Sequence, residues 1–408
     1  MADAAQTAAP QVVIVTSRLD IGGTERHLTR ILPALKRRGI DIVLYVMERG
    51  GPLEAGLIDG GIRVEGPQPA RFLHWPRATL ALARFLQRER PAVVHFFLPR
   101  PYVYGSIAAE LARHRRRVMS RRSLTDYRSR YPLLGSLERL LHRRTAALLG
   151  NSQAVVEQLT NEVDDPRKLA LIHNGIELPK PVGVAERQRI RDMLSVAADT
   201  LVIVAVANLV AYKGHRDLIA ALARVNASLP PWRLLAVGRD DGIGLELKRQ
   251  AEELEIAERI LWLGERPDVG DLLAASDIFV LPSHQEGFSN ALLEAMAAPV
   301  APIATAIGGN VDAVTDNKTG LLVAPGDPVS LAAAILRLAN DPALRRSLAD
   351  AARLRVRHSF TLDACVGRYA KLYRAISEPN PKPIGEILLD EADTGCRGKV
   401  AAALEHAP

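Results

Sequence analysis

Short apolar runs alternate with helix-forming stretches along nearly the whole chain, and near the middle the alternation starts again. Val12-Val-Ile-Val15 reads as a buried strand, followed by a Gly22-Gly23 turn and a helix from about Thr24 to Arg38 that Gly39 stops. Further strands are expected at Ile42–Val46, Ala92–Phe97 and Arg117–Ser120, with helices near Ala78–Arg88, Gly105–Arg113 and Leu133–Arg144. In the second half, strands are expected at Leu201–Ala207, Arg233–Val237, Ile260–Trp262, Ile278–Leu281, Val300–Ala304 and Leu321–Val323, with a helix near Asp217–Leu229 after the first. Strands that alternate with helices in this way pair in parallel and are covered on both faces. The expected fold class is therefore α/β, two Rossmann-like doubly wound domains facing across a cleft.

A chain of 408 residues exceeds one ordinary core, so two domains of ~200 residues are the default. The first is expected over residues 1–185 and the second over 186–360, with Pro179-Lys-Pro181 and the charged segment to Arg191 as their connection. A final helix over 361–376 is expected to pack back toward the N-terminal domain, and the Pro-, Gly- and charge-rich tail 377–408 to be partly disordered.

The residues that carry chemistry lie behind Ile278-Phe-Val-Leu281, in Ser283-His-Gln-Glu286-Gly-Phe-Ser-Asn290-Ala-Leu-Leu-Glu294. Ser289 is a candidate N-cap, so Glu286 falls on the turn at a strand's carboxyl end and Glu294 within the helix. Two carboxylates at the positive end of a helix suit a ligand with hydroxyls and phosphates. The Gly22-Gly23 turn can bring backbone N–H groups close to a diphosphate, and Lys213-Gly214 takes the corresponding place in the second half. The chain has no GxxxxGK[ST], GxSxG, HExxH or Asp-x-Asp, which removes P-loop, serine-hydrolase and zincin chemistry and any Asp-bound metal diphosphate. Metal ligands and cofactors are expected to be absent.

Composition narrows the partners. Cys365 and Cys396 are the only cysteines, so a disulfide framework or zinc site is not expected, and a reducing cytoplasmic setting is. The first ten residues lack a signal-peptide pattern, and the apolar run Leu201–Val210 is too short to span a bilayer. The net charge of +7 is uneven: Arg113 to Arg144 holds eleven arginines against Asp126 and Glu138. That stretch reads either as a solvated face or as a site for an anionic partner, such as a membrane surface or a phosphate-bearing acceptor. With 4% aromatics and no nucleic-acid signature, nucleic acid is not expected.

The ordered set of motifs resembles the family 4 glycosyltransferases, which have the two-domain GT-B fold. It is carried by Asn208-Leu-Val-Ala-Tyr-Lys213-Gly-His, Leu263-Gly-Glu-Arg-Pro-Asp-Val269, Ser276-Asp277 and the stretch from Leu281 through Glu294 to Met296. It continues through Gly308-Gly309-Asn310 and Thr319-Gly-Leu-Leu-Val323, and in the first half through Gly22-Gly23-Thr-Glu25-Arg26 and His173-Asn-Gly-Ile176. The resemblance implies a retaining, metal-independent transfer of a sugar from a nucleoside-diphosphate sugar to a glycan or lipid-linked acceptor, as in surface polysaccharide or lipopolysaccharide assembly. It implies that Glu286 faces the donor sugar at the reacting centre, Glu294 holds the ribose, and Lys213 pairs with the diphosphate, helped by Gly22, Gly23 and the residue at Asn208. Backbone groups of Gly287, Phe288, Ser289 and Asn290 would approach the diphosphate or sugar, and those near Arg266 the base. Asn208 stands where the family often has arginine, and Ser120-Arg121-Arg122-Ser123 where it often has a histidine.

His95, Arg121 and Arg122 are the candidates for acceptor or phosphate contact, although His95 in its apolar strand also reads as core. Trp75, Trp232 and Trp262 read as packing residues. Two other functions fit the same fold: a nucleotide-sugar epimerase, and a catalytically silent sugar-nucleotide-binding partner.

Overall fold

The computed structural model describes residues 10–68, 74–124, 132–379 and Ile384. The chain divides into two compact units: the described parts of Met1–Asn174 with Leu362–Pro408, and Gly175–Thr361.

The first unit is built on seven parallel strands, β1 (Gln11–Thr16), β2 (Asp41–Val46), β3 (Arg63–Glu65), β4 (Val93–Phe97), β5 (Arg117–Arg121), β6 (Ala147–Gly150) and β7 (Leu169–Leu171), in the order β3-β2-β1-β4-β5-β6-β7. Side chains on β1 alternate between faces, and each face has its own core. Val12 and Ile14 join the helices Gly23–Arg37 and Leu362–Ser377, whereas Val13 and Val15 meet His74–Glu89, Pro99–Leu111 and Gln153–Thr160. The C-terminal helix lies against Gly23–Arg37 and buries Val366, Tyr369, Leu372, Tyr373 and Ile376. At about 1.5–3 kcal/mol for each large side chain, that burial holds the end of the described chain firmly onto this unit.

The second unit has six parallel strands, β8 (Leu201–Val206), β9 (Trp232–Val237), β10 (Ile260–Gly264), β11 (Ile278–Leu281), β12 (Ala301–Thr305) and β13 (Leu321–Val323), ordered β10-β9-β8-β11-β12-β13. The strands expected from the sequence are found, with ends shifted by a residue or two. The segment before β8 differs from expectation. Val184–Met193 is a helix packed on Val269–Ala275, not an open connection. Two of its arginines point inward: Arg187 and Arg191 bind Asp277 at 2.7 and 2.8 Å, and Arg191 also donates to the carbonyls of Ala275 and Thr200.

Both sheets reverse their winding at one place, between β1 and β4 and between β8 and β11. In doubly wound sheets the crevice outside the strand ends at that point is where ligands bind. The loops that leave β1, β4, β8 and β11 are therefore the ones that matter. The expected tail, 377–408, falls almost wholly outside the described residues.

Candidate active site

In the second unit, the loops after β8 and β11 bring Lys213 and Glu286 together. The lysine Nζ lies 2.6 Å from Glu286 Oε1, and Ser283 Oγ donates to the same oxygen at 2.8 Å. Both side chains are largely shielded, 18% and 10% exposed, so their attraction is screened less than a surface pair's. Glycine is required next to the lysine. Gly214 has φ +70°, and a Cβ there would stand 1.9 Å from the Pro282 carbonyl oxygen. The close approach locks the two loops together, as do the His284 N–H to the Tyr212 carbonyl at 2.7 Å and His284 Nε2 to Asp217 at 2.6 Å. Thr305 Oγ1 at the end of β12 donates to the Ser283 carbonyl at 2.6 Å and fixes the turn that carries Glu286.

That turn leads into the helix Asn290–Ala297, where Ser289 accepts the Leu292 N–H as N-cap. Its free amino end supplies the positive pole of the helix dipole. Gly287 and Gly309 touch backbone to backbone: the Gly309 N–H reaches the Gly287 carbonyl at 2.8 Å, and a Cβ on Gly309 would meet that oxygen at 2.3 Å. The Phe288 ring points into the core against Phe360, with centroids 5.4 Å apart, so only its backbone faces the loop side. Glu294 is half-buried in the same helix. Asn208 donates to Asp241 at 2.9 Å, and its carbonyl accepts from the buried His215 at 3.1 Å. The Arg239 guanidinium beside Asp241 holds that carboxyl below its ordinary range. Arg266 is more exposed and pairs with Asp268 at 2.6 Å.

In the first unit, the β1 turn needs glycine for access and not for backbone conformation, since neither Gly22 nor Gly23 has a positive φ. A Cβ on Gly23 would enter open space, whereas one on Gly22 would meet the Glu25 carboxylate at 2.4 Å. Burial raises the pKa of that Glu25 carboxyl. Leu98, which follows β4, sits at φ 74°, ψ 154°, a region nearly reserved for glycine. Strain of this kind costs of order 1–3 kcal/mol and concentrates where a loop has work to do. Leu98 lines a small pocket with Tyr102, Met119, Arg122 and Glu138.

The three acceptor candidates separate here. His95 is fully buried, and both ring nitrogens are engaged, Nδ1 with Tyr373 at 2.7 Å and Nε2 with Ser120 at 2.8 Å. Burial holds it neutral, well below the usual histidine range. That placement fits the core reading of His95 and leaves neither ring nitrogen free for an acceptor. Arg121 is likewise engaged within the unit. Its guanidinium is buried, donates to both Glu162 oxygens at 2.7 Å and lies 3.5 Å from Glu138. With His142, these two glutamates form the one group of three metal-type ligands found among the described residues, and Arg121 already compensates their charge. Arg122 differs. Its guanidinium lies 5.9 Å over the Phe97 ring and donates to Asn174 at 2.7 Å, while Nη1 has no hydrogen-bond partner among the described residues. The sequence reading did not single out Ser283, Thr305 or Asn174, although Ser283 and Asn174 lay inside stretches it quoted, and it named Gly214 with Lys213 without the close approach to Pro282 that requires it.

Residues 186–355 match the family model described as Glycosyl transferases group 1, and residues 21–180 match Glycosyltransferase Family 4. The chain is 25% identical over 380 residues to N-acetyl-alpha-D-glucosaminyl L-malate synthase of Bacillus anthracis, covering 88% of this chain and 95% of that protein. It is 27% identical over 354 residues to the lipopolysaccharide core biosynthesis glycosyltransferase LpsE of Rhizobium meliloti, covering 86% and 95%. Its fold is similar to the crystal structure of Anabaena Alr3699/HepE in complex with UDP and glucose, with TM-score 0.79, 23% identity, and coverage of 90% of this chain and 99% of that one. With one family model on each parallel sheet, and the Lys213–Glu286 pair inside one of the matched spans, this chain belongs to the family 4, group 1 glycosyltransferases of GT-B fold.

Proposed function

We propose that this enzyme moves a sugar from a nucleoside-diphosphate sugar to a glycan or lipid-linked acceptor, with retention at the anomeric carbon and without a metal, in surface polysaccharide or lipopolysaccharide assembly. The carrying observation is the Lys213–Glu286–Ser283 cluster at the winding reversal of the second sheet. Breaking the bond between the anomeric carbon and the diphosphate oxygen puts negative charge on the departing group and positive charge on the sugar. Lys213 has three donors, so it can keep Glu286 and still bind the diphosphate. Together with the amino end of Asn290–Ala297 it stabilises the leaving group. Glu286, fixed by two bonds to one oxygen, leaves its other oxygen for the sugar and its developing charge. The acceptor hydroxyl forms the new bond on the same face, and its proton goes to the departing phosphate. Glu294 is assigned to the ribose hydroxyls, the backbone of Gly287 to Asn290 to the phosphates or sugar, and the backbone near Arg266 to the base. Asn208 is assigned to the donor side through the loop it shares with Lys213.

In the first unit, Arg122 is assigned to an anionic group of the acceptor, because one buried donor of its guanidinium, Nη1, has no partner among the described residues. The open backbone at Gly23 suits a substrate phosphate. UDP-glucose is the first donor to try, since the similar Anabaena structure holds UDP and glucose. A panel of nucleotide sugars, screened by thermal shift and then by nucleoside-diphosphate release with acceptor extracts, tests the proposal. The expected product keeps the donor's anomeric configuration by NMR. An epimerised sugar nucleotide with no acceptor consumed would reject it.

A further inference from the structure

Three neighbouring helices cover one face of the first sheet: His74–Glu89 packs on Pro99–Leu111, which packs on Pro132–Arg143. Their buried stripes form one core, and their outward stripes form one surface. The middle helix contributes an apolar outward stripe, Ile107 and Leu111, which are 38% and 51% exposed. The flanking helices add Leu80 and Leu140, 50% and 52% exposed, and set arginines around them. Arg77 and Arg84 stand on one flank and Arg139 on the other, all exposed and without a carboxylate partner among the described residues. The acids of these helices are occupied elsewhere. Glu89 binds Arg63 at 2.8 Å, Glu110 binds Arg117 and Arg144, and Glu138 is buried beside Arg121. Near the start of the face, Trp75 stacks on Tyr104 with centroids 5.0 Å apart, and Arg100 lies over the indole.

We infer that this three-helix face is a docking surface for an anionic lipid bilayer. Isolated exposed apolar side chains are ordinary, but four large ones on adjoining helices, beside arginines that have no carboxylate partner among the described residues, are not. An apolar strip to enter the headgroup boundary, basic side chains to meet anionic lipid and a tryptophan–tyrosine pair at the margin together form the pattern of a surface that lies on a membrane. Nucleic acid would use the arginines and leave the apolar stripe without a role. No described helix is long and apolar enough to cross a membrane, so the inference concerns the surface alone. It also moves the basic site. Arg117 and Arg121, inside the arginine-rich stretch, are buried in ion pairs, while Arg77 and Arg84 lie outside that stretch and do belong to the face.

The test is cosedimentation of the full chain with vesicles of phosphatidylcholine alone and with 30 mol% phosphatidylglycerol, at low and physiological salt. Binding is expected only with phosphatidylglycerol and is expected to weaken with salt. The triple change Arg77→Ser, Arg84→Ser, Arg139→Ser should lower partitioning by roughly tenfold or more. The pair Ile107→Ser, Leu111→Ser should lower it at both salt concentrations, and changing the three arginines to lysine should preserve it. Unchanged thermal midpoints establish that the variants are folded. Equal binding by wild type and both variant sets would overturn the inference. So would retention on duplex DNA, lost in the arginine variant, with no vesicle binding.

Discussion

Replacing Lys213 with methionine separates the structural from the chemical role of the central pair. The change keeps the aliphatic stem and removes the charge 2.6 Å from Glu286 Oε1. Removing one partner from a fully buried ion pair costs about 3–5 kcal/mol. Here the side chains are 18% and 10% exposed and Ser283 still donates at 2.8 Å, so a loss of about 2 kcal/mol is expected. For a unit of this size that lowers the thermal midpoint by roughly 4–8 °C. The loss in turnover should be larger, because the lysine also stabilises the departing diphosphate. Removing one such electrostatic donor slows kcat by about 10²–10³-fold. The double change Lys213→Met, Glu286→Gln divides the two effects. It removes both charges, so most of the stability should return while activity stays lost. Melting curves and nucleoside-diphosphate release on the wild type, both single variants and the double variant complete the cycle. A Lys213→Met enzyme that turns over within about threefold of wild type would refute the reasoning. So would a double variant no more stable than Lys213→Met.

Other consequences follow from the same geometry. Gly214→Ala places a Cβ 1.9 Å from the Pro282 carbonyl in a backbone with φ +70°, and should destabilise the second unit by about 3 kcal/mol or more in urea titrations. Arg121→Met leaves Glu162 and Glu138 buried without their cation and should cost about 3–5 kcal/mol, while Arg122→Met should change acceptor KM with little change in the melting curve. His27 and His95 are buried and held neutral below the ordinary histidine pKa of 6.5. Above that pH neither folded nor unfolded chain carries the extra protons. As pH falls below it the unfolded chain takes them up first, so stability should fall by about 1.4 kcal/mol per pH unit for each histidine. Equilibrium unfolding between pH 7.5 and 5 checks the slope. A His95→Gln variant should flatten it, and an unchanged slope in that variant would remove His95 from the account.

Apolar strands between clear turns were legible because burial on both faces leaves a continuous apolar run, as at Leu201–Val206 and Ile278–Leu281. The strands β3, β6 and β7 escaped the reading because β3, Arg63-Val-Glu65, has a single apolar residue, and β6 and β7 are brief Ala/Leu runs without the β-branched or aromatic residues that mark a strand. Charge misled in two places. Arg187, Arg191 and Arg121 look solvated in sequence, yet they face shielded carboxylates supplied from 41 to 90 residues away, and no local pattern encodes such partners. His95 was ambiguous for a related reason. Its neighbours Tyr373 and Ser120 come from a distant helix and an adjacent strand. The Glu286 turn was legible because its motif combines a strand, a glycine-containing turn, an N-cap and a helix. Ser283 and Gly214, which set the carboxylate and the lysine, show their roles only once the loops meet.

The most direct measurement compares wild type with Glu286→Gln on the donor the wild type accepts, following nucleotide binding by calorimetry and sugar transfer by product analysis. The account predicts that nucleotide affinity stays within a few-fold while transfer falls by at least about 10²-fold, because the carboxylate acts on the sugar and the breaking bond and not on the nucleotide. Transfer at the wild-type rate in Glu286→Gln would contradict it.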